Sequence, residues 1–444
     1  MVDVEALSRE ELVALVLRQQ ALIAELQATV AQLQVRVREL EARLGKGGPR
    51  GMPGHKPTQA PPKTPKPRKP RPHGFARLRG VPTERVVHVQ ERCPDCGCAL
   101  VGGSVQRTRE VIEVEPAPAK VVEHVLLKRT GPLCRKRWVP KEALGGVVLG
   151  QQRLGIGLVS LVATLREVGR LPVRTIQWSR KTFHGVRLSV GGLVAVLHRV
   201  GWRAKAEVAG IQARVRASPV VHADETGWRQ DGRNGYVWTF STPTERSFVY
   251  GGRSKGVLDD ALGEEFAGVL VSDFYAAYHH YEGVHQRCWV HLLRDLHELP
   301  EQHPEDASVA AWAQAVHDLY REAKAFASPN AAERLAAQER FEERLLALCE
   351  PFLTDETAPQ AVLCRHIERH RSELFVFVAQ PAVPPDNNAA ERSLRHLVIS
   401  RKISGGTRSE QGTATKMALA SLFGTWHVQG RNAYLACRQL LASP

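Results

Sequence analysis

Several features are missing from this 444-residue sequence, and each absence excludes a class of protein. No run of about 18 uncharged apolar residues occurs, so we expect neither a transmembrane helix nor a membrane partner. The chain starts with polar and acidic residues that lead into no apolar segment, which predicts no signal peptide and a cytoplasmic, nucleoid-associated location. Eight cysteines in so long a chain do not indicate a disulfide framework.

Acidic residues are absent between positions 45 and 82, where ten lysines or arginines occur. The whole chain carries a formal net charge of +15. Such an excess favours a polyanionic partner, because neutralising phosphates releases counterions. The many prolines of residues 46–82 exclude helix and sheet, so this segment is interpreted as an extended basic tether on DNA or as a merely solvated linker.

Residues 1–45 predict a single helix. Leucine, valine and isoleucine recur there at coiled-coil spacing from Leu12 to Leu44, with one interruption at Gln19. So narrow an apolar seam requires a partner helix, and we therefore expect a homo-oligomer formed through an N-terminal coiled coil. Packing of this helix on its own chain is the alternative.

Residues 83–145 combine short predicted strands, at 85–89 and 110–115, with a cysteine-rich turn. Thiolates at this spacing suit tetrahedral zinc, so the segment is interpreted as zinc-ribbon-like and DNA-binding, or as a metal-free remnant. Arg137 stands where a second Cys-x-x-Cys would end. The candidate zinc ligands are Cys93, Cys96 and Cys134, with Cys98 or His124 as a fourth.

Residues 150–210 predict helices with helix–turn–helix rhythm, in which Ser189 caps a candidate recognition helix. Plain helical bundles show the same pattern, so DNA recognition and simple packing both stay open. A helical insertion is predicted at about 291–375, within a catalytic core of residues 217–410, and a helical segment at 411–444. Cys288 and His291, at the start of the insertion, are interpreted as packing residues.

Two short apolar strands, Pro219–Asp224 and Gly268–Asp273, each end in a carboxylate. If these strands are neighbours, both carboxylates meet at one edge of a sheet. Glu391 follows much later, near the start of a helix that can bring it to the same edge. Oxygen ligands gathered in this way suit Mg²⁺ or Mn²⁺, and two such ions support in-line phosphoryl transfer.

Each acid also has a structural explanation, because Asp often starts a turn and Asn388 with Glu391 forms a helix-capping pair. Glu225 is a rival ligand or a solvated neighbour of Asp224. The basic residues that follow Glu391 are candidates for holding DNA phosphates: Arg392, Arg395, Arg401 and Lys402.

Four sequence blocks together resemble the insertion-sequence-66 transposases. They are residues 222–229, 272–278, 286–295 and 386–392, and the likeness extends over nearly the whole chain. The resemblance implies a multidomain α/β protein with a ribonuclease-H-like core, whose DDE triad of catalytic acids maps onto Asp224, Asp273 and Glu391. It also implies action on terminal inverted repeats and target DNA, with companion proteins of the same element as plausible partners. Arg137 is the departure from the family pattern, and it puts the zinc site in doubt.

The predicted chemistry is cleavage at the end of a mobile element, followed by attack of the exposed 3′-hydroxyl on target DNA. No serine or tyrosine nucleophile constellation is evident, so no covalent enzyme–DNA link is expected. Two rivals remain: a DNA-binding regulator without catalysis, and a nuclease that cuts but never joins strands.

Overall fold

The computed structural model describes residues 81–112, 114, 116–140 and 144–443, together with six isolated positions among the first 23 residues. The chain forms two compact units, Met1–Ile112 and Glu113–Pro444. The predicted coiled coil and basic linker lie almost entirely outside the described residues. Within the coiled-coil segment, the isolated positions Arg9, Val13, Gln19, Gln20 and Ile23 are helical.

The described part of the first unit contains the cysteine-rich turn. The Cys93 N–H donates to the Cys98 carbonyl at 2.9 Å, and the Gly97 N–H donates to the Cys93 carbonyl at 2.9 Å. Gly97 has a φ of 72°, which glycine adopts without strain. The predicted strand at 85–89 is wrong: these residues pair with no strand, and their valines are 65–73% exposed, so no buried sheet face stabilises them. Residues 110–112 and 114, in the other predicted strand, are not part of a strand.

The second unit contains a turn of the same form near its beginning. It joins β1 (Arg129–Thr130) to β2 (Arg137–Trp138). The Arg135 N–H donates to the Gly131 carbonyl at 2.9 Å, and Arg135 has a φ of 51°. Gly131 and Cys134 therefore correspond to Cys93 and Cys96 of the first turn. The residue that departs from the Cys-x-x-Cys pattern is thus Gly131, whereas Arg137 lies in β2 beyond the turn.

Four helices of the second unit pack with the last two helices of the chain in one apolar core. The predicted cap is confirmed, since the Ser189 hydroxyl accepts the Gly192 N–H at 2.9 Å. These helices are α1 (Ile156–Glu167), α2 (Val173–His184), α3 (Val190–Arg203) and α4 (Lys205–Arg216).

A five-stranded mixed sheet follows, in the order β5-β4-β3-β6-β7. Its strands are β3 (Val220–Gln230), β4 (Arg233–Ser241), β5 (Arg246–Gly251), β6 (Val269–Ser272) and β7 (His285–Arg287). Strands β3, β6 and β7 are parallel, and β4 is antiparallel to both of its neighbours. The prediction that the first strand ends at Asp224 is wrong, because hairpin pairing with β4 extends β3 to Gln230.

The remaining helices are α5 (Gly256–Leu262), α6 (Trp289–Gln302), α7 (Ala307–Ala325), α8 (Ala331–Leu353), α9 (Ala361–Arg369), α10 (Val376–Ala379), α11 (Asn388–Ser404), α12 (Glu410–Val428) and α13 (Ala433–Ala442). Helices α6–α10 occupy the region of the predicted insertion, and their apolar core packs on one face of the sheet. None of the described helices is long and apolar enough to cross a membrane.

His396 on α11 makes the stability of this fold depend on pH. Burial, together with the charge of Lys416, lowers the pKa of His396 to about 4, and its ring packs edge-on against Phe248. An unfolded chain takes up a proton at this histidine below about pH 6.5, whereas the folded chain does so only near pH 4. The contribution of neutral His396 to stability is therefore fully present above about pH 6.5, and it is lost as the pH falls from about 6.5 to about 4.

We expect this histidine to contribute a loss of about 1–2 kcal/mol between about pH 7.5 and about pH 5. Urea unfolding at the two pH values measures it, and His396→Gln should show the smaller pH dependence. His297→Gln, an exposed histidine on α6, is the matched control and should behave as the parent chain does. An unchanged pH dependence in His396→Gln would contradict the assignment.

Candidate active site

The register of β3 and β6 puts Asp224 beside Asp273. His222 pairs with Val271 at the last parallel position, and each aspartate follows two residues later. Side chains two positions apart share a sheet face. The two carboxylates therefore lie on one face, just beyond the point where parallel pairing ends, as the sequence predicted.

The third acid is brought to this face by Asn387, which directly precedes α11. The Asn387 side-chain amide donates to the Ala223 carbonyl at 2.7 Å, and its Oδ1 lies 3.1 Å from Nδ1 of His222. These contacts fix the start of α11 against β3, one residue before Asp224. Glu391 lies in the first turn of that helix.

The predicted capping role of Asn388 is wrong. Asn388 is the first residue inside α11, and the side chain of the N-cap residue Asn387 makes no cap bond, because it is engaged by β3. The Asn388 N–H is satisfied by Oδ1 of Asp386 at 3.1 Å. Asn387 had no signal in the sequence beyond its place in the 386–392 block, since its partners are about 165 residues away.

The site concentrates negative charge. Burial first, and then the negative charges of Asp273, Glu225 and Glu391 in that order, raise the pKa of Asp224 to about 8. Such repulsion destabilises the ionised acids unless a cation binds among them. An open cavity lined by Asp224, Glu391 and Arg395 gives access to this charge.

These acids suit divalent cations by chemistry and by charge. Among the described residues, Asp224, Asp273 and Glu391 do not form a set whose ligand atoms all lie within 4.8 Å of one another. One cation on all three acids would require that closeness. Two ions about 3.5–4 Å apart would distribute the carboxylates over a wider span.

Glu225 is held away from this arrangement. It lies on the opposite face of β3, where it accepts the Tyr278 hydroxyl at 2.8 Å and an Arg253 N–H at 3.1 Å. Burial raises the pKa of Glu225, while these two donors lower it. Its carboxylate is therefore already engaged by protein donors, which argues against a rival ligand.

A network of buried hydrogen bonds holds the backbone at Asp273, and the sequence did not indicate it. Fully buried Arg287 donates to the Asp273 carbonyl at 2.8 Å and forms an ion pair with Glu373. The Ser272 hydroxyl also donates to the Asp273 carbonyl at 2.8 Å. A buried guanidinium is costly unless it is paired, so this network fixes the backbone that carries Asp273.

The candidate phosphate-binding residues occupy different environments. Arg392, Arg395 and Lys402 are exposed, and Arg395 lines the acidic cavity. Arg401 is half-buried and donates to the Gly227 carbonyl and, at 3.2 Å, to the Thr226 hydroxyl. Arg401 therefore ties α11 to β3, and a contact with DNA remains a prediction for all four residues.

The candidate zinc ligands are divided between the two units. Cys93, Cys96 and Cys98 lie in the first unit, whereas Cys134 lies in the second. The backbone N–H of Cys98, followed by the Cys93 and Cys98 thiols, lowers the pKa of the Cys96 thiol. Zinc binding by Cys93, Cys96 and Cys134 stays a prediction.

Comparison with known proteins gives two kinds of match. Residues 151–415, more than half of the chain, match the sequence model of the Transposase IS66 family. The uncharacterized protein y4jO of Sinorhizobium fredii (strain NBRC 101917 / NGR234) is 30% identical over 188 residues, which cover 40% of this chain and 54% of that protein. The uncharacterized protein y4jD of the same strain is 23% identical over 385 residues, 76% of this chain and 72% of that protein. The chain thus spans about half the length of the first relative.

Proposed function

We propose that this chain, which belongs to the Transposase IS66 family, cuts and joins DNA strands at the ends of an insertion sequence. Asp224, Asp273 and Glu391 are its catalytic acids and hold Mg²⁺ or Mn²⁺. The observation that carries the proposal is the convergence of these acids, two through the β3–β6 register and one through the Asn387 contacts. The core is then ribonuclease-H-like, consistent with a mixed sheet in which two adjacent parallel strands, β3 and β6, lead to the aspartates.

The reaction consists of two phosphoryl transfers. In the first, water attacks the phosphodiester at the end of the element, the P–O3′ bond breaks, and a 3′-hydroxyl and a 5′-phosphate result. In the second, that hydroxyl attacks a target phosphodiester and displaces the 3′-oxygen of the target strand. When bound, two divalent ions activate the attacking oxygen and stabilise the leaving oxygen.

The protein groups orient and neutralise the DNA. Asp224, Asp273 and Glu391 supply the oxygen ligands, and Arg395 lies where it can hold a non-bridging phosphate oxygen. Arg392, Arg401 and Lys402 extend the basic surface along α11. The substrates are the terminal inverted repeats and target DNA, and the chain acts as a homo-oligomer through its N-terminal coiled coil, with companion proteins of the element as further partners.

A transposition assay in cells tests the proposal. A marked element with its own ends is supplied with this protein, with Glu391→Gln, or with the control Glu410→Gln, which alters an exposed acid at the start of α12. We expect movement with the parent chain and the control, and a loss of about a thousandfold or more with Glu391→Gln, because the amide cannot supply an anionic ligand.

Equal movement with Glu391→Gln would mean that Glu391 is structural. Binding to the element's ends without any metal-dependent cleavage would favour the non-catalytic DNA-binding regulator. Cleavage without strand joining would favour a nuclease.

A further inference from the structure

A second group of potential metal ligands adjoins the carboxylates. The ligand atoms of Cys288, His291 and Glu391 all lie within 4.8 Å of one another. Among the described residues, this is the group of three potential metal ligands that lie so close together. Cys288 immediately precedes α6, His291 lies in the first turn of α6, and Glu391 lies in the first turn of α11. The starts of two helices, about 100 residues apart in sequence, therefore meet at this point.

Backbone contacts hold the two helix starts together. The Trp289 N–H donates to the Pro385 carbonyl at 2.9 Å, and the Asn387 N–H donates to the Cys288 sulfur at 3.2 Å. The closeness of the three side chains consequently belongs to the packed fold rather than to a chance rotamer at the surface. Cys288 itself is fully buried.

The sulfur of Cys288 lies among backbone N–H groups. The backbone N–H groups of Asn387, His291 and Val290 interact with it. A buried thiolate needs a further positive charge to offset desolvation, and a bound divalent cation supplies that charge.

His291 also has coordinating capacity that the protein does not use. Its Nδ1 is buried and has no hydrogen-bond partner among the described residues. Buried polar atoms without partners cost free energy, so this nitrogen is available to bind a ligand.

A donor set of sulfur, nitrogen and oxygen selects a different metal from the all-carboxylate site. Mg²⁺ prefers oxygen ligands, whereas thiolate and imidazole prefer Zn²⁺ and related transition metals. Three protein ligands leave one tetrahedral position open. We propose that Cys288, His291 and Glu391 form a Zn²⁺ site that shares Glu391 with the catalytic acids; the sharing, though not the site itself, rests on the proposed function.

Cobalt spectroscopy tests the site without any measurement of activity. The full chain is used with Cys93, Cys96, Cys98 and Cys134 replaced by serine, so that these cysteines cannot bind the probe. We expect Co²⁺ to bind with a stoichiometry of one, to give thiolate-to-cobalt charge-transfer absorption and to be displaced by Zn²⁺. Adding Cys288→Ser should abolish this absorption, whereas adding Cys437→Ser, at another buried free thiol, should preserve it.

A second pair of variants decides the question if Cys288→Ser fails to fold. In the same background, His291→Gln should weaken Co²⁺ binding about tenfold or more, while His297→Gln on the exposed side of α6 should not. Absence of the charge-transfer absorption, or its persistence at full affinity in folded Cys288→Ser, would overturn the proposal.

Asp224→Asn separates this inference from the proposed function. Asp224 is not among the three ligands, so its substitution should leave the cobalt absorption intact while it eliminates strand cleavage. Cobalt binding in a chain that never cleaves DNA would refute the proposed function alone. Cleavage in a chain that binds no cobalt through Cys288 would refute the zinc site alone.

Discussion

Asp224→Asn is expected to lower metal-dependent strand cleavage by about a thousandfold or more while end binding persists. Metal coordination is worth several kcal/mol in the transition state, and about 1.4 kcal/mol corresponds to a factor of ten in rate. Asparagine keeps the size of the side chain and removes its charge. The measurement is cleavage of a labelled terminal DNA fragment in Mg²⁺ and in Mn²⁺, with end binding measured in parallel.

Two comparison variants sharpen this test. Asp260→Asn removes an exposed acid within α5 and should leave cleavage unchanged. Glu225→Gln alters the acid next to Asp224 that Tyr278 and Arg253 already engage, and it should retain most of the activity. A loss with Glu225→Gln as large as that with Asp224→Asn would instead make Glu225 a ligand.

The same substitution is expected to stabilise the metal-free fold. Because burial raises the pKa of Asp224 to about 8, the folded chain holds a proton there that the unfolded chain releases above its ordinary pKa of 3.8. Folding near pH 7 therefore costs up to about 4 kcal/mol at this residue, and the uncharged amide removes that cost. A higher melting temperature in a metal chelator, together with lost activity, would mark Asp224 as a residue kept for function at the expense of stability.

Lys416→Met is expected to destabilise the second unit by about 3–5 kcal/mol. The Lys416 ammonium group is buried on α12 and lies 2.7 Å from Glu167 Oε2 on α1. Its removal leaves a buried carboxylate, whose other oxygen already has no hydrogen-bond partner. Urea unfolding of the parent chain and of Lys416→Met, with far-ultraviolet circular dichroism as the signal, measures the loss.

The double variant Glu167→Leu with Lys416→Met provides the decisive comparison. Replacing both charges removes the desolvation cost together with the attraction, so much of the stability lost in the single variant should return. Additive losses in the double variant would mean that the two side chains stabilise the fold independently, contrary to the ion-pair interpretation. The exposed pair Arg344 and Glu322 is a suitable control, since its single variants should each cost about 1 kcal/mol or less.

The catalytic acids and the buried ion pair differ in how much of each could be predicted from the sequence. The strands leading to Asp224 and Asp273 and the cap at Ser189 follow from local sequence patterns, and the structure contains them all. The ion pair between Glu167 and Lys416 joins residues 249 positions apart, in two helices whose own patterns indicate only that each has an apolar face. No local pattern shows which helix covers that face.

The wrong predictions also arise because local sequence does not show tertiary contacts. The segment at 85–89 has strand-forming residues but no partner, and β structure depends on pairing rather than on intrinsic preference. Asn388 has the residue type and spacing of a cap, yet Asn387 directs the helix start because β3 supplies its side-chain partners. Arg137 lay at the expected spacing, but the backbone hydrogen bonds of the second turn make Gly131, and not Arg137, the equivalent of Cys93.

The sequence by itself determined the strand and helix segments around the acids, the identity of those acids and the basic character of the chain. These features depend on residue type and on periodicities of a few residues. The tertiary structure decided the shared face of Asp224 and Asp273, the placement of Glu391 by Asn387, and the meeting of Cys288 and His291 with Glu391. Each of these joins segments that are about 50 to 165 residues apart. Their proximity comes from strand register and from helices packing against the sheet, and neither has a counterpart in local sequence.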